Sequence, residues 1–538
     1  MIAPTDRITA GYEVAWAAAQ HGDREAIVCE GRSLTFREVN ERANRLANAL
    51  RGRGHDTGER IGVLLHNSIE SVDSVFGLLK SGLCMVPLNT RHALPEQIEI
   101  ANDAGLSGII AGAEFKETVQ ALATSIEGLR TTVGVGWNPA RPGGTDFDEL
   151  LADGSPEEPG VELEPRALMR LTYTSGTTGK TKGVVGTHKR HLARLGNFFA
   201  SCEYALGREH TMAQVGPLSH VAGNYLQPCF MRGARTIILR SFDPEALQQT
   251  IVDFEVDHLL LVPTMIVRLV DALQPDRYNL SSLKRINYGT APIPVEVLRR
   301  GIAALGPVFR QHYGMTEAES PLTLLYPDEH VIDGTTEETA RLASCGRPVA
   351  GHRIRIVDDE GREMPVGQVG EIAIRAQGSA ELEYWKRPDL TAEAVRDGWF
   401  LTGDLGRFDD AGYLFIVGRN KDMIISGGFN VYAREVEEAL FRHPDVLEAG
   451  VVGVPDRDLG EVVAAMLVAK PGATLDTAEV DRFCREQIAG YKRPRLLMFA
   501  ETLPKNANGK IAKQEIREAF ARERSTAAGE VTTVGARY

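Results

Sequence analysis

The chain has 538 residues, 43% of them hydrophobic and 25% charged, with a formal net charge of −13. That length exceeds what one hydrophobic core sustains, so two or more domains are expected. The acidic balance offers no general attraction to nucleic acid or anionic lipid, and no stretch approaches the ~18 apolar residues of a membrane span.

In chain order, Met1 to Thr9 lacks a basic segment followed by an apolar run, so no secretory signal is expected. Ser33-Leu34-Thr35-Phe36 opens a predicted helix through about Arg51, with Val39, Ala43, Leu46 and Leu50 at helical spacing. Ile61 to Leu65 reads as a buried strand, followed by a helix and by a second strand at Met85 to Leu88. Thr236 to Leu239 and His258 to Val262 bracket a helix that starts near Asp243-Pro244. This βαβ rhythm predicts an α/β fold of doubly wound, largely parallel sheets with helices on both faces. After Gly346 the pattern changes to short alternating strands, Arg353 to Val357 and Glu371 to Arg375, of a small antiparallel or barrel-like β subdomain. The polar turn Gly418-Arg419-Asn420-Lys421-Asp422 then separates a smaller C-terminal α+β domain. The expected division is a large N-terminal domain at 1–418, a hinge at 419–422, the C-terminal domain at 423–522 and a flexible tail at 523–538. No internal repeat, second catalytic unit or carrier domain is read.

The six cysteines (Cys29, Cys84, Cys202, Cys229, Cys345 and Cys484) form no C-x-x-C pair, which fits reduced thiols and a cytoplasmic protein. His188 and His191 sit three apart without an acid or Cys at ligand spacing, so they read as a surface pair and not as a metal site.

The strongest local signal runs from Leu171 to Gly183, where a strand-like segment enters a loop containing Thr174, Ser175, Gly176, Thr177, Thr178, Gly179, Lys180 and Lys182. Glycines let backbone N–H groups close on phosphate oxygens, hydroxyls add donors, and a lysine adds a point charge. A Walker A loop would need glycine five residues before Gly179, where Thr174 stands.

This segment resembles the phosphate-binding signature of the adenylate-forming superfamily: acyl-CoA synthetases, adenylation domains of peptide synthetases and beetle luciferases. Thr181 stands where that pattern usually has Pro. Further signatures follow in the superfamily's order, so the resemblance extends from about Ser33 to Lys510. It implies that Tyr313-Gly314-Met315-Thr316-Glu317 is a second nucleotide motif. Tyr313 would stack on adenine, Thr316 contact the α-phosphate and Glu317 hold Mg²⁺. Gly289-Thr290-Ala291-Pro292 would lie along the adenine and the substrate carboxylate, Asp404 would bind the ribose hydroxyls, and Arg419 would assist from the domain boundary. Lys510, in Pro504-Lys505-Asn506-Ala507-Asn508-Gly509-Lys510, matches the catalytic lysine of adenylation, and Lys421 the hinge position. Ser426-Gly427-Gly428 would wall a pantetheine tunnel after domain rotation, with Lys492 a basic contact to coenzyme A. Alone, Asp404 reads equally as a turn aspartate, Arg419 as a solvated charge and Lys510 as a loop lysine. The ordered set of motifs gives them roles.

The resemblance implies a carboxylic acid–CoA ligase that uses ATP, Mg²⁺ and coenzyme A. The alternatives are a stand-alone adenylation enzyme loading a carrier protein, and an inactive nucleotide-binding scaffold. Peptide-synthetase modules place an Asp for the substrate amine about forty residues after the phosphate loop. This chain has Pro217-Leu218-Ser219-His220-Val221-Ala222-Gly223 there, a form similar to acyl- and aryl-CoA synthetases, with His220 lining the acyl pocket. The expected pocket (His220, Val221, Ala222, Asn224, Gly289, Gly314 and Met315) is small and apolar, with His312 and Glu319 adding polarity nearby. It favours a fatty, alicyclic or aryl monocarboxylic acid and leaves a hydroxylated one open. A homodimer is compatible with this reading; a nucleic-acid partner is not expected.

Overall fold

The computed structural model describes residues 7–175, 181–202, 205–318, 321–376, 382–506 and 509–526. Two mixed sheets carry most of the N-terminal part. In the nine-stranded sheet, six parallel strands run in the order Phe309–Tyr313, Arg285–Gly289, His258–Leu261, Thr211–Gln214, Arg235–Ile238 and Glu25–Cys29. Strand alternation sends Ile237, Leu259 and Leu261 to one core and Ile238 and Leu260 to another, so both faces are covered. The seven-stranded sheet is parallel from Cys84–Pro87 through Arg60–Leu64, Leu106–Gly112 and Thr131–Val135 to Gly144–Asp146. Its other edge is the hairpin of Leu168–Ser175 and Thr181–Thr187.

The first predicted helix spans Phe36–Gly52. Ser33 and Leu34 belong instead to the strand Arg32–Thr35, and Thr35 is the cap. Its hydroxyl accepts from Glu38 N at 3.2 Å, and the Glu38 carboxylate accepts from Thr35 N at 2.7 Å. Val39, Ala43, Leu46 and Leu50 are all fully buried, as their spacing predicts.

After Gly346, His352–Val357, Gly370–Ala376, Trp399–Phe408 and Leu414–Arg419 form an antiparallel sheet. The C-terminal part has its own five-stranded sheet and two apolar clusters. Its last helix, Lys513–Thr526, takes in residues 523–526, which the sequence reading assigned to the tail. Residues 527–538 lie outside the described residues. Among the described residues no helix is long and apolar enough to cross a membrane.

Candidate active site

Three walls meet at the carboxyl ends of the parallel strands of the nine-stranded sheet, the place where open α/β sheets form ligand crevices. The first wall is backbone. The register sets Gly289 beside His312, and a Cβ on Gly289 would lie 2.2 Å from the His312 carbonyl oxygen, so only glycine fits. Thr290 follows with φ 69°, a left-handed conformation that a β-branched residue adopts only under constraint. Ala291-Pro292 leads away from it toward the helix Val295–Leu305.

The second wall is built by strand pairing. Asp404 and Arg419 are opposed across the ladder of Trp399–Phe408 and Leu414–Arg419. The Arg419 Nε donates to Asp404 Oδ1 at 2.9 Å, and the buried Tyr313 hydroxyl donates to Asp404 Oδ2 at 2.8 Å. Burial, then the Asp404 charge, raises the Tyr313 pKa well above its ordinary value, so this hydroxyl stays a donor. Gly314 and Met315 connect Tyr313 to the short 3₁₀ turn Thr316–Ala318.

The third wall joins Lys182, Glu317 and Tyr384. Thr174 and Lys182 are directly opposite in the hairpin of Leu168–Ser175 and Thr181–Thr187. The Lys182 Nζ donates to the Tyr384 hydroxyl at 2.8 Å and stands 3.8 Å from Glu317 Oε1. The Tyr384 hydroxyl in turn donates to Glu317 Oε1 at 3.2 Å. Burial lowers the Lys182 pKa while Glu317 opposes the shift. Arg190 Nη2 fixes the Glu317 backbone through its carbonyl, at 2.6 Å. The Thr174 hydroxyl is buried with no hydrogen-bond partner among the described residues, an orphaned donor at the entrance of the loop. Ser175 ends the strand, and Gly176, Thr177, Thr178 and Gly179 lie outside the described residues. Sequence reasoning missed Tyr384; an aromatic remote in sequence carried no signal until the isolated bridge Val184↔Tyr384 set it beside the hairpin.

Lys510 lies in the C-terminal part with its side chain open to solvent. Desolvation, then the Arg419 charge, lowers its pKa, with Asp404 and Glu317 opposing. Its turn is held by Asn506 N donating to the Lys510 carbonyl at 2.8 Å and Lys510 N donating to Asn506 Oδ1 at 3.0 Å. The segment Asn420–Asp422, expected as the hinge, is a 3₁₀ turn, and Arg517 Nη2 of the last helix pairs with Asp422 at 3.2 Å. Burial lowers the Lys421 pKa, with Asp422 opposing. Other expected contacts stay outside the cleft in this arrangement. Gly427 and Gly428, with φ 58° and 83°, form an exposed two-residue hairpin turn between Ser426 and Phe429. Lys492 pairs with Glu435 at 2.6 Å.

Beside Gly289, Thr290 and Gly314 lies a small cavity that Val221 and Asn224 also line. His220 is turned instead toward Ser219, whose hydroxyl is 2.8 Å from Nδ1, and Asn89, 3.4 Å from Nε2. Ala222 is buried in the core, and Glu319 lies outside the described residues. Arg194, Phe198, Tyr225 and Leu260 line the cavity and were missed. His188 and His191 correct an expectation: both are buried, and His191 Nε2 lies 3.7 Å from Glu13 Oε1. The helix His188–Asn197 buries His188, Arg190, His191 and Arg194 and exposes Leu192, because its inner face meets a polar cleft. Basic residues at three- and four-residue spacing were the available signal.

Two family domains match the chain: AMP-binding enzyme over residues 14–385, and AMP-binding enzyme C-terminal domain over residues 435–510. The fatty acid–[acyl-carrier-protein] ligase ScoC of Streptomyces coeruleorubidus is 34% identical over 92% of this chain and 93% of its own length. Feruloyl-CoA synthase of an Amycolatopsis species is 35% identical over 91% of this chain and 94% of its own. Among solved structures, the anthranilate CoA ligase AuaEII with anthranoyl-AMP superposes with a TM-score of 0.86 at 27% identity, over 96% of this chain and 98% of that one.

Proposed function

Because the chain belongs to the AMP-binding enzyme family, we propose that it is an AMP-forming acid–thiol ligase making acyl-coenzyme A from a fatty, alicyclic or aryl monocarboxylic acid. The observation that supports this reading is a pair of charge clusters, Asp404 held by Arg419 and Tyr313 and Glu317 held beside Lys182 and Tyr384, because adenylation concentrates negative charge that such cations offset. A carboxylate oxygen attacks the α-phosphorus of ATP, the new O–P bond forms as the α–β bridge breaks, and pyrophosphate leaves. Lys510 and Lys182 offset the growing charge, Thr174 donates its orphaned hydroxyl to a phosphate oxygen, and Thr316 contacts the α-phosphate. Tyr313 stacks on adenine while Asp404, oriented by Arg419, accepts from the ribose hydroxyls. Glu317 would supply hard carboxylate oxygen to Mg²⁺, an ion commonly held by one or two carboxylates plus substrate phosphates, with the Tyr384 hydroxyl orienting Oε1. Bound there, Mg²⁺ neutralises phosphoryl charge.

In the second step the coenzyme A sulfur bonds to the acyl carbon, AMP leaves, and the thiol proton passes to solvent. For this we assign residues 1–418 and 423–522 as two working bodies that turn about 419–422 and bring Ser426, Gly427, Gly428 and Lys492 toward the thiol. All six cysteines are free, which supports a reducing cytoplasmic setting. A carrier-protein thiol is the second reading, favoured by the similarity to ScoC. Pyrophosphate release over a panel of acids, with and without coenzyme A, tests the proposal. Acid-dependent pyrophosphate and a coenzyme-A-dependent thioester are expected; pyrophosphate without any thioester would favour the carrier protein.

A further inference from the structure

The wall of Lys182, Glu317 and Tyr384 is assembled from three stretches of backbone far apart in sequence. Lys182 comes from the strand Thr181–Thr187, Tyr384 from the segment bridged to it at Val184, and Glu317 from the turn Thr316–Ala318. The first two are joined by main chain. Val185 N donates to the Glu383 carbonyl at 2.9 Å, and Trp385 N to the Gly183 carbonyl at 2.8 Å. Glu317 is supported differently. Its 3₁₀ turn is three residues long and closes on itself, with Ala318 N donating to the Met315 carbonyl at 3.2 Å. A turn that short has no ladder or long helix behind it, so tertiary contacts decide where its carboxylate stands.

Arg190 supplies such a contact. It stands in the first turn of the helix His188–Asn197, where its backbone N–H donates to the cap hydroxyl of Thr187 at 3.3 Å, and it is only 4% exposed. Its Nη1 donates to the Val185 carbonyl and its Nη2 to the Glu317 carbonyl, both at 2.6 Å. One planar guanidinium therefore spans the strand that carries Lys182 and the turn that carries Glu317. Because the fork is rigid, holding one carbonyl fixes the direction and distance of the other. An ammonium is a point charge on a flexible stem and cannot reproduce that constraint. Charge alone would work the opposite way, since a buried cation near Glu317 opposes the arrival of a second cation there. Geometry is what this side chain can contribute.

We propose that Arg190 is a positioning residue for metal uptake: by clamping the Val185 and Glu317 carbonyls together, it holds the Glu317 carboxylate beside Lys182, in the position from which it takes the Mg²⁺ that accompanies ATP. The inference rests on the ligase reading above and on Glu317 as the Mg²⁺ contact.

The test measures binding and not turnover. Calorimetry gives the affinity of the full chain for α,β-methylene-ATP, which cannot release pyrophosphate, with Mg²⁺ and with EDTA in its place. The ratio of the two affinities is the contribution of the metal, and Glu317→Gln defines the ratio left without the carboxylate. Arg190→Lys, which keeps the charge, and Arg190→Met, which removes it, should each lower the ratio by about tenfold, a usual cost of losing a group that orients a metal ligand. Affinity in EDTA should stay within about twofold, because the strand of Lys182 keeps its main-chain partners. Combined with Glu317→Gln, Arg190→Lys should lower the ratio no further, since it acts through that carboxylate. Where Arg190→Met fails to fold, Arg190→Lys decides. A ratio unchanged by the arginine variants, equal losses in both buffers, or a further loss in the double variant would overturn the proposal and leave the ligase reading standing. A ratio left intact by Glu317→Gln would overturn it too, by removing the metal contact on which it rests. No binding of the analogue and no pyrophosphate from any acid would take down the ligase reading, and the proposal with it.

Discussion

The two sides of the cleft are held by different forces. On the side proposed for the nucleotide, a β-ladder sets Asp404 opposite Arg419, and the buried Tyr313 closes the group from a second sheet. Moving any of the three would break main-chain pairing. On the other side Lys510 sits on a turn tied by its own Asn506, and the C-terminal part reaches the rest through single polar contacts. Examples are Arg434 Nη1 donating to the Ile416 carbonyl at 2.7 Å and the Arg517–Asp422 pair. Polar contacts of this kind each contribute on the order of 1 kcal/mol, which supports the proposed turning of the C-terminal part. The contrast suits a reaction whose phosphate geometry must persist while the groups around the acyl carbon change.

The sharpest way to break this contrast is Lys510→Ala. Loss of one charge aimed at the transition state should slow acyl-AMP formation by about 10²–10³-fold while supplied acyl-AMP is still converted to acyl-CoA. Single-turnover assays of each half-reaction check it, and equal loss of both steps would mean that the two sides do not act separately. Next comes acid sensitivity of the rigid side. Burial, with the charge of His191 adding, lowers the His188 pKa from 6.5 to about 4. The unfolded chain therefore takes up a proton below pH 6.5 that the folded chain refuses until about 4. Stability present above pH 6.5 should drain as pH falls, by about 2 kcal/mol at pH 5, and His188→Gln should flatten that slope in denaturant titrations.

A smaller effect is expected at the proposed hinge. Proline at 421 fixes φ and restricts Asn420, so Lys421→Pro should form acyl-AMP normally but transfer it about tenfold more slowly. The mildest test sharpens the frame itself. Tyr384→Phe removes the hydroxyl shared by Lys182 and Glu317, about 1 kcal/mol of hydrogen bonding. Adenylation should fall about fivefold with a higher Mg²⁺ requirement, while melting of the folded chain changes little. An unchanged Mg²⁺ titration would show that Tyr384 only packs.

The same contrast separates what was legible in the sequence from what was not. Periodicity located the helix Phe36–Gly52 and the parallel strands because burial of one face, or of both, dictates which residues recur. Asp404, Arg419 and Lys510 had no signal of their own; the order of motifs singled them out, and the fold brings them together. Arg194 and Tyr225 were hidden for a physical reason. Arg194 lies on a helix whose buried face is largely basic, so the rule that reads apolar residues as inward fails there, as it did for His188 and His191, whereas Tyr225 lies among apolar buried residues and reads as plain core. Tyr384 was illegible because its partners are about 200 residues upstream and about 70 upstream, a distance no local pattern spans.

The strand Glu25–Cys29 has its parallel neighbour at Arg235–Ile238, and the ion pair Arg235–Glu25 spans 210 residues of chain. During synthesis the first strand must therefore wait for its partner to emerge, roughly 10–40 s at ordinary translation rates. Until then its apolar face and open edge are without their final cover, and the helices beside it can only partly collapse. The nine-stranded sheet thus closes later than the seven-stranded one, whose last strand ends at Thr187. Newly made chains should depend on chaperones most strongly before residue 238 has left the ribosome.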